Sequence, residues 1–304
     1  MPLSRPCKFS ALLLGVLGLG GCGAEGTSVS VSTSGSCAVR GDTVGLSLLY
    51  QQMVSFNQAQ PGLMLSVCRI RLPGHADDLP ISLTYRPRDQ KLYLLGMQGN
   101  LYQLNQQTAE GTWVSQLKAD PGDSTDPYVA LPASSAAQIG RVAMAFDPQT
   151  DQLRVLGSDG QNLLVNADTG ATITLPTLNR APNIVKFQVA AAAYHPQTRQ
   201  LYAVADVASS LVLTAVDPAT GTLTDVGGLD TRAVSGRGIG LGFRADGQGV
   251  VTLEVANPDP ANPGNTVKAM QLYQFYTQSS PWSAPLVGAF STNLNDLYAL
   301  AVRP

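Results

Sequence analysis

The chain has 304 residues, of which only 13% are charged, with 19 Lys and Arg against 21 Asp and Glu. A net charge of −2 provides no basic field for phosphates, and so small a charged share argues against a coiled coil or a nucleic-acid binder. Hydrophobic residues make up 44%, which excludes a wholly disordered chain, and the length suits one large domain or two small ones.

The N-terminus reads as a leader, residues 1–21. Arg5 and Lys8 form a basic start, and Phe9 to Leu19 is an apolar run, far shorter than the about 20 residues a membrane span needs. Its end, Leu19-Gly20-Gly21-Cys22, resembles the bacterial lipobox: an aliphatic residue, two small ones, then the cysteine that is acylated. Small side chains let a peptidase reach the bond, and the Cys22 thiol carries the lipid. The expectation is a palmitate-type anchor, each buried methylene contributing about 0.8 kcal/mol. Gly23 stands where Asp would retain such a protein at the inner membrane. That points to the outer membrane or cell surface of a bacterial envelope.

Cys22 and residues 23–36 form a tether in which seven of 14 residues after the cysteine are Ser or Thr. Its reach is about 20 Å. Loss of Arg5 and Lys8 with the leader leaves 17 basic against 21 acidic residues, a net −4. Cys7 leaves with the leader and Cys22 takes lipid, so Cys37 and Cys68 remain. In an oxidising envelope one disulfide between them is the economical reading, with two buried free thiols as the alternative.

Residues 37–304 read as a single domain of repeats. Four segments, from Ile81, Val142, Ala190 and Ile239, open with an apolar strand ending in Tyr85, Phe146, Tyr194 or Phe243. A polar turn follows, entered by Pro87, Pro148 or Pro196, with Ala245 in the fourth copy. Proline presets the turn dihedral, and Asp, Gly and Thr complete it. Three more short strands follow, which is the pattern of a β-propeller blade.

The chain ends LYALAVRP, with Arg303-Pro304 matching Arg86-Pro87, so the repeat stops one strand into a new copy. Strands at 45–50, 53–56 and 63–70 await an inner partner. The prediction is an all-β, five-bladed β-propeller of four-stranded antiparallel blades, its C-terminal strand completing an N-terminal blade. A sixth blade within 115–141 or 254–288 is the alternative.

Residues 142–175 carry a resemblance. Phe146-Asp147-Pro148, Asp151 to Val155, Gly160 to Leu163 and Asn166 to Gly170 resemble motifs of a bacterial family, domain of unknown function 4394. The resemblance extends from about residue 45 to the end. It implies a secreted, propeller-like repeat and no particular activity. Gln152 and Leu164 stand where the family has Arg, which weakens any role for those arginines.

Enzyme signatures are sparse. The chain has no G-x-S-x-G, H-E-x-x-H or P-loop, and its one G-x-G-x-x-G lies in the leader. Gly236 to Gly242 enters a strand, so it reads as close packing at the ring centre. Arg40-Gly41-Asp42 reads as a chance tripeptide. Two histidines and few cysteines make a zinc site poor, and neither metal nor cofactor is expected. His195 reads as an exposed turn residue. Asp120, Asp123 and Asp126 lack calcium-loop spacing and read as a solvated loop. A glycosidase would need two facing carboxylates, for which Asp77, Asp78, Glu254 and Asp296 are the donors available.

Ligands in propellers usually meet the loops where inner strands begin. That end collects Asp78, Arg141, Lys186, Arg237 and Asn295, with Gln161 and Asn162 from a lateral loop. The insertion at 115–141 is expected to hang over it. This mixed polar ring points to non-catalytic binding of an envelope protein or glycan, with membrane contact through the lipid and no nucleic-acid partner. The alternative is a glycosidase- or lactonase-like hydrolase with its site in the channel.

Overall fold

The computed structural model describes residues 37–124, 128, 142–157, 160–180, 187–207, 209–233, 238–259, 261–262, 264–279, 283–290 and 296–303. The leader, Cys22 and the tether lie outside these residues. Twenty strands form five four-stranded antiparallel sheets, and no helix occurs among the described residues.

Blade 1 comprises β4 (Pro80–Arg86), β5 (Lys91–Gly96), β6 (Asn100–Leu104) and β7 (Gly111–Gln116). Blade 2 comprises β8 (Val142–Phe146), β9 (Leu153–Gly157), β10 (Asn162–Val165) and β11 (Thr172–Thr174). Blade 3 runs through β12 (Phe187–Tyr194), β13 (Leu201–Val207), β14 (Ser210–Val216) and β15 (Leu223–Gly228). Blade 4 holds β16 (Gly240–Phe243), β17 (Gly249–Pro258), β18 (Thr266–Phe275) and β19 (Leu286–Ala289). The fifth blade is composite, in the order β20 (Ala299–Val302), β1 (Thr43–Ser47), β2 (Gln52–Asn57), β3 (Gln60–Arg69).

The ring is closed as predicted. Thr43 pairs with Val302 and Leu46 with Ala299, so the last strand becomes the inner strand of a blade begun by the N-terminus. The inner strands β4, β8, β12, β16 and β20 pack in succession around the axis, and β20 returns to β4. The N-terminal strands are shifted from the predicted 45–50, 53–56 and 63–70. Residues 48–51 turn instead, with Gln51 N donating to the Leu48 carbonyl at 3.3 Å. The six-blade alternative is overturned. Segment 254–288 is an extended β17–β18 hairpin followed by β19, and the described part of 117–141 adds no strand.

Side chains alternate along each strand between the two sheet faces, and each face meets a neighbouring blade. Five apolar clusters result, one per blade interface. Leu83, Tyr85, Leu92 and Tyr102 pack on Val44, Leu46 and Met53 of the composite blade. Tyr93 and Leu95 pack on Met144, Phe146 and Val155 of blade 2. The other three interfaces follow suit. Because both faces are buried, strands such as Lys91–Gly96 read as nearly continuous apolar runs. Gly242 permits the close approach at the ring centre: a Cβ there would collide with the Val302 side chain.

The repeated turns have repeated geometry. After the inner strand, Gln90 N donates to Arg86 O, Asp151 N to Asp147 O and Arg199 N to His195 O, at 2.9, 3.0 and 2.9 Å. The last residue of each turn is left-handed, with φ of 54°, 60° and 60°. Blade 4 lacks the proline and has a turn one residue shorter, Gly247 N to Arg244 O at 2.9 Å. Cys37 and Cys68 form a disulfide, tying the first described residue to the outer strand β3.

Candidate functional site

Of the residues expected around the beginning of the inner strands, Arg141, Lys186, Arg237 and Asn295 lie outside the described residues. Asp78, Gln161 and Asn162 are described. Asp78 is buried and accepts from Gln98 N (2.8 Å), Asn100 Nδ2 (2.9 Å) and the Tyr102 hydroxyl (2.8 Å). It thereby ties the loop entering β4 to the β5–β6 turn. Asn162 opens β10 with its side chain buried; it accepts from Arg154 Nη1 at 3.0 Å and donates to the Pro176 carbonyl at 3.1 Å. Gln161 precedes it, and its carbonyl accepts from Gly157 N at 2.9 Å. Tyr128, from the insertion, packs against the blade 1–2 cluster, and burial with the Asp78 charge raises its hydroxyl to about 12.

Blade 4 repeats the blade 1 device. Asp230 accepts from the Tyr273 hydroxyl at 2.6 Å and from Arg232, whose guanidinium holds the carboxyl well below the usual range. Tyr102 and Tyr273 both sit on the third strand of their blades. Sequence reading missed both tyrosines, and the available signal was a shared third-strand tyrosine with an aspartate in the loop entering the same blade.

The remaining carboxylates of the hydrolase alternative fall as follows. Asp77 is exposed. Glu254 is buried on β17 and pairs with Lys268 Nζ at 3.0 Å. Asp296, leading into β20, accepts from Ser47 Oγ (2.8 Å) and Leu49 N (2.6 Å). Burial raises the Asp296 carboxyl above its ordinary range, and the Glu254 charge adds to this, against the lowering by its hydrogen bonds. No cluster of three metal-ligating side chains occurs among the described residues.

The opposite end of the channel, where inner strands finish, holds an open cavity of about 210 Å³. Its walls include one small position per blade, Thr84, Ala145, Ala193, Gly242 and Ala301, flanked by larger side chains such as Tyr85, Phe146, Tyr194 and Phe243. Its rim is the turn prolines Pro87, Pro148 and Pro196, with Ala245 in blade 4. Deeper along the axis, between Ser82, Met144, Leu241 and Tyr298, the space shrinks to about 10 Å³. That is room for roughly one water molecule.

Links between blades brace this end. Arg86 joins blade 1 to Asp151 and Asp168 of blade 2. Arg199 Nη1 reaches Gln149 Oε1 at 2.7 Å, and Gln197 Nε2 reaches the Ala245 carbonyl at 3.2 Å. His195, expected to be an exposed turn residue, is 6% exposed. Its Nδ1 accepts from Gln197 N and Thr198 N, its ring packs on Phe243, and burial lowers its pKa. The correction has a simple cause: the next blade's turn covers it, with Gly247 against the ring edge.

A second concavity, an open cleft of about 470 Å³, lies between the composite blade and blade 1 beside Gln51, Arg69, Arg71 and Asp78.

Five four-stranded antiparallel sheets in a ring closed by the last strand define a five-bladed β-propeller. Residues 52–262 match the model of the domain of unknown function DUF4394, and the chain belongs to that family. No curated protein matches it. Similar solved structures include a chain of a nidogen/laminin complex, 10% identical with a TM-score of 0.48, covering 86% of this chain and 98% of that one. A Bacteroides thetaiotaomicron protein of unknown function is 12% identical at a TM-score of 0.48, covering 91% and 67%. The β-propeller domain of Myceliophteria thermophila Cps50 (Swd1) is 12% identical at 0.39, covering 89% and 93%. Likeness at this level carries no argument about function.

Proposed function

We propose that this protein is a lipid-anchored component of the bacterial cell envelope whose propeller binds a protein partner or an envelope glycan without catalysis. The Leu19-Gly20-Gly21-Cys22 sequence and the Ser/Thr tether support the location. One observation carries the binding reading. The buried carboxylates available for acid–base work are engaged in holding their own blades: Asp78 by three hydrogen bonds, Glu254 by Lys268, Asp296 by Ser47 and Leu49. The open channel mouth lies at the other end, with a mostly apolar lining and no carboxylate among the described residues that line it.

A hydrolase is the second reading, and one observation favours it. Burial, and after it the Glu254 charge, raise the Asp296 carboxyl, which is the direction a general acid needs. Crosslinking the anchored protein in its native cells, with Cys22→Ala as control, tests the first reading. A stoichiometric protein or glycan, lost in the control, is the expected result. Turnover of glycosides or lactones that disappears in both Glu254→Gln and Asp296→Asn establishes the second reading instead.

A further inference from the structure

We propose that the channel mouth at the turn end is a binding site for a small, uncharged, largely apolar molecule, an aromatic ring or short branched alkyl group. This goes beyond the protein or glycan binding proposed above and does not depend on it.

Size comes first. The cavity of about 210 Å³ exceeds the about 150 Å³ of an apolar cavity that accepts benzene. It stays open because the five blades place Thr, Ala, Ala, Gly and Ala at the same wall position. A leucine at any one of them would occupy much of the space. The floor, about 10 Å³ of free space, stops a long chain from threading the ring. The site is a blind pocket that limits its ligand in length as well as width.

Chemistry comes second. The rim prolines have no N–H to offer. Around the mouth Arg86 pairs with Asp151 and Asp168, Arg88 with Asp151 and Arg244 with Asp246, while Arg199 bonds the Gln149 amide and Arg303 lies against the Tyr85 hydroxyl. A charged ligand would lose its hydration on entering the mostly apolar wall of the cavity. The polar handle is the Thr84 hydroxyl, half-buried in the wall, whose one bond is a long 3.4 Å donation to the Tyr85 carbonyl. It is placed to accept one N–H or O–H from a bound ring. Gln197 Nε2 already donates to the Ala245 carbonyl.

The test uses the full chain carrying Cys22→Ala, so that no lipid or detergent competes for apolar probes. Indole is titrated by calorimetry, with benzoate as a charged probe of similar size. The expected result is one saturable indole site, with benzoate at least about tenfold weaker. Ala193→Leu, checked for an unchanged circular dichroism spectrum and melting temperature, should weaken indole at least about tenfold. Thr84→Val keeps the wall's shape and removes the handle, so it should weaken indole but not toluene. Absence of saturable binding, benzoate binding as well as indole, or indifference to a folded Ala193→Leu overturns the proposal. If indole fails while a photocrosslinker at Gln197 captures the cellular partner, the mouth takes that partner's side chain. The small-molecule assignment then falls and the binding reading stands.

Discussion

Arg86 and Asp151 meet edge to edge across the blade 1–2 boundary, Nε to Oδ1 at 2.8 Å and Nη2 to Oδ2 at 2.6 Å. Asp168 takes the outer nitrogens, and the guanidinium lies over the Tyr93 and Phe146 rings at 5.6 and 5.5 Å. Arg86 is almost fully buried and Asp151 partly exposed, so water screens the pair only in part, and the Arg86 hydrogen bonds hold the Asp151 carboxyl below its ordinary value of 3.8. Asp151→Asn preserves shape and tolerance of the left-handed turn, and Asp168 still serves Arg86. It should cost about 1.5–3 kcal/mol at neutral pH. A group with a depressed folded pKa stabilises above its unfolded pKa and loses that effect as pH falls through the folded value. Denaturant midpoints of wild type and variant should therefore converge as pH drops below 3.8.

Gly170 closes the turn between the third and fourth strands of blade 2 at φ 72°, and a Cβ there would overlap the Gln116 carbonyl. Gly170→Ala should cost about 1–2 kcal/mol in backbone strain and about 1–3 more in crowding against β7. The same turn in blade 1 already holds Ala109 at φ 55°. A melting temperature for Gly170→Ala equal to wild type would refute the clash.

Cys37–Cys68 spans 31 residues. In the chain-entropy account, closing such a loop is worth about 3–4 kcal/mol. Cys68→Ser should lower the denaturation midpoint accordingly, and reductant should bring the wild type down to the same level while leaving the variant unmoved.

Asp296 titrates in the opposite sense from Asp151. Its folded pKa is raised, so its contribution is fully present below the unfolded pKa and is lost as pH rises through the folded value. Lowering the pH from neutral towards 3.8 should stabilise the wild type relative to Asp296→Asn. Stability curves of the two proteins that run parallel over that interval would show that the carboxyl is not raised.

Much of the architecture was legible because propeller blades are local. A strand, a Pro-entered turn and a return strand lie within about 25 residues, and proline and glycine mark the turns. The terminal match of Arg303-Pro304 to Arg86-Pro87 made ring closure readable too, although β20 and β1 lie at opposite ends of the chain. The shift of β1 to Thr43–Ser47 was not legible, since both faces of the strand are buried and the apolar run has no period to fix its ends.

The sequence by itself determined the repeat and the closing strand; it favoured five blades and a Cys37–Cys68 pair, and the structure decided both against a sixth blade and two free thiols. Only the tertiary structure decided where each polar side chain spends its hydrogen bonds. Asp78 finds Tyr102 at 24 residues' distance, Arg86 finds Asp151 at 65 and Ser47 finds Asp296 at 249. His195 reads as a turn residue until the next blade's turn is laid over it. The open end of the channel was equally hidden, because its size depends on one small side chain from each of five blades. Turn chemistry acts between neighbours in the chain; burial and charge pairing act between neighbours in space.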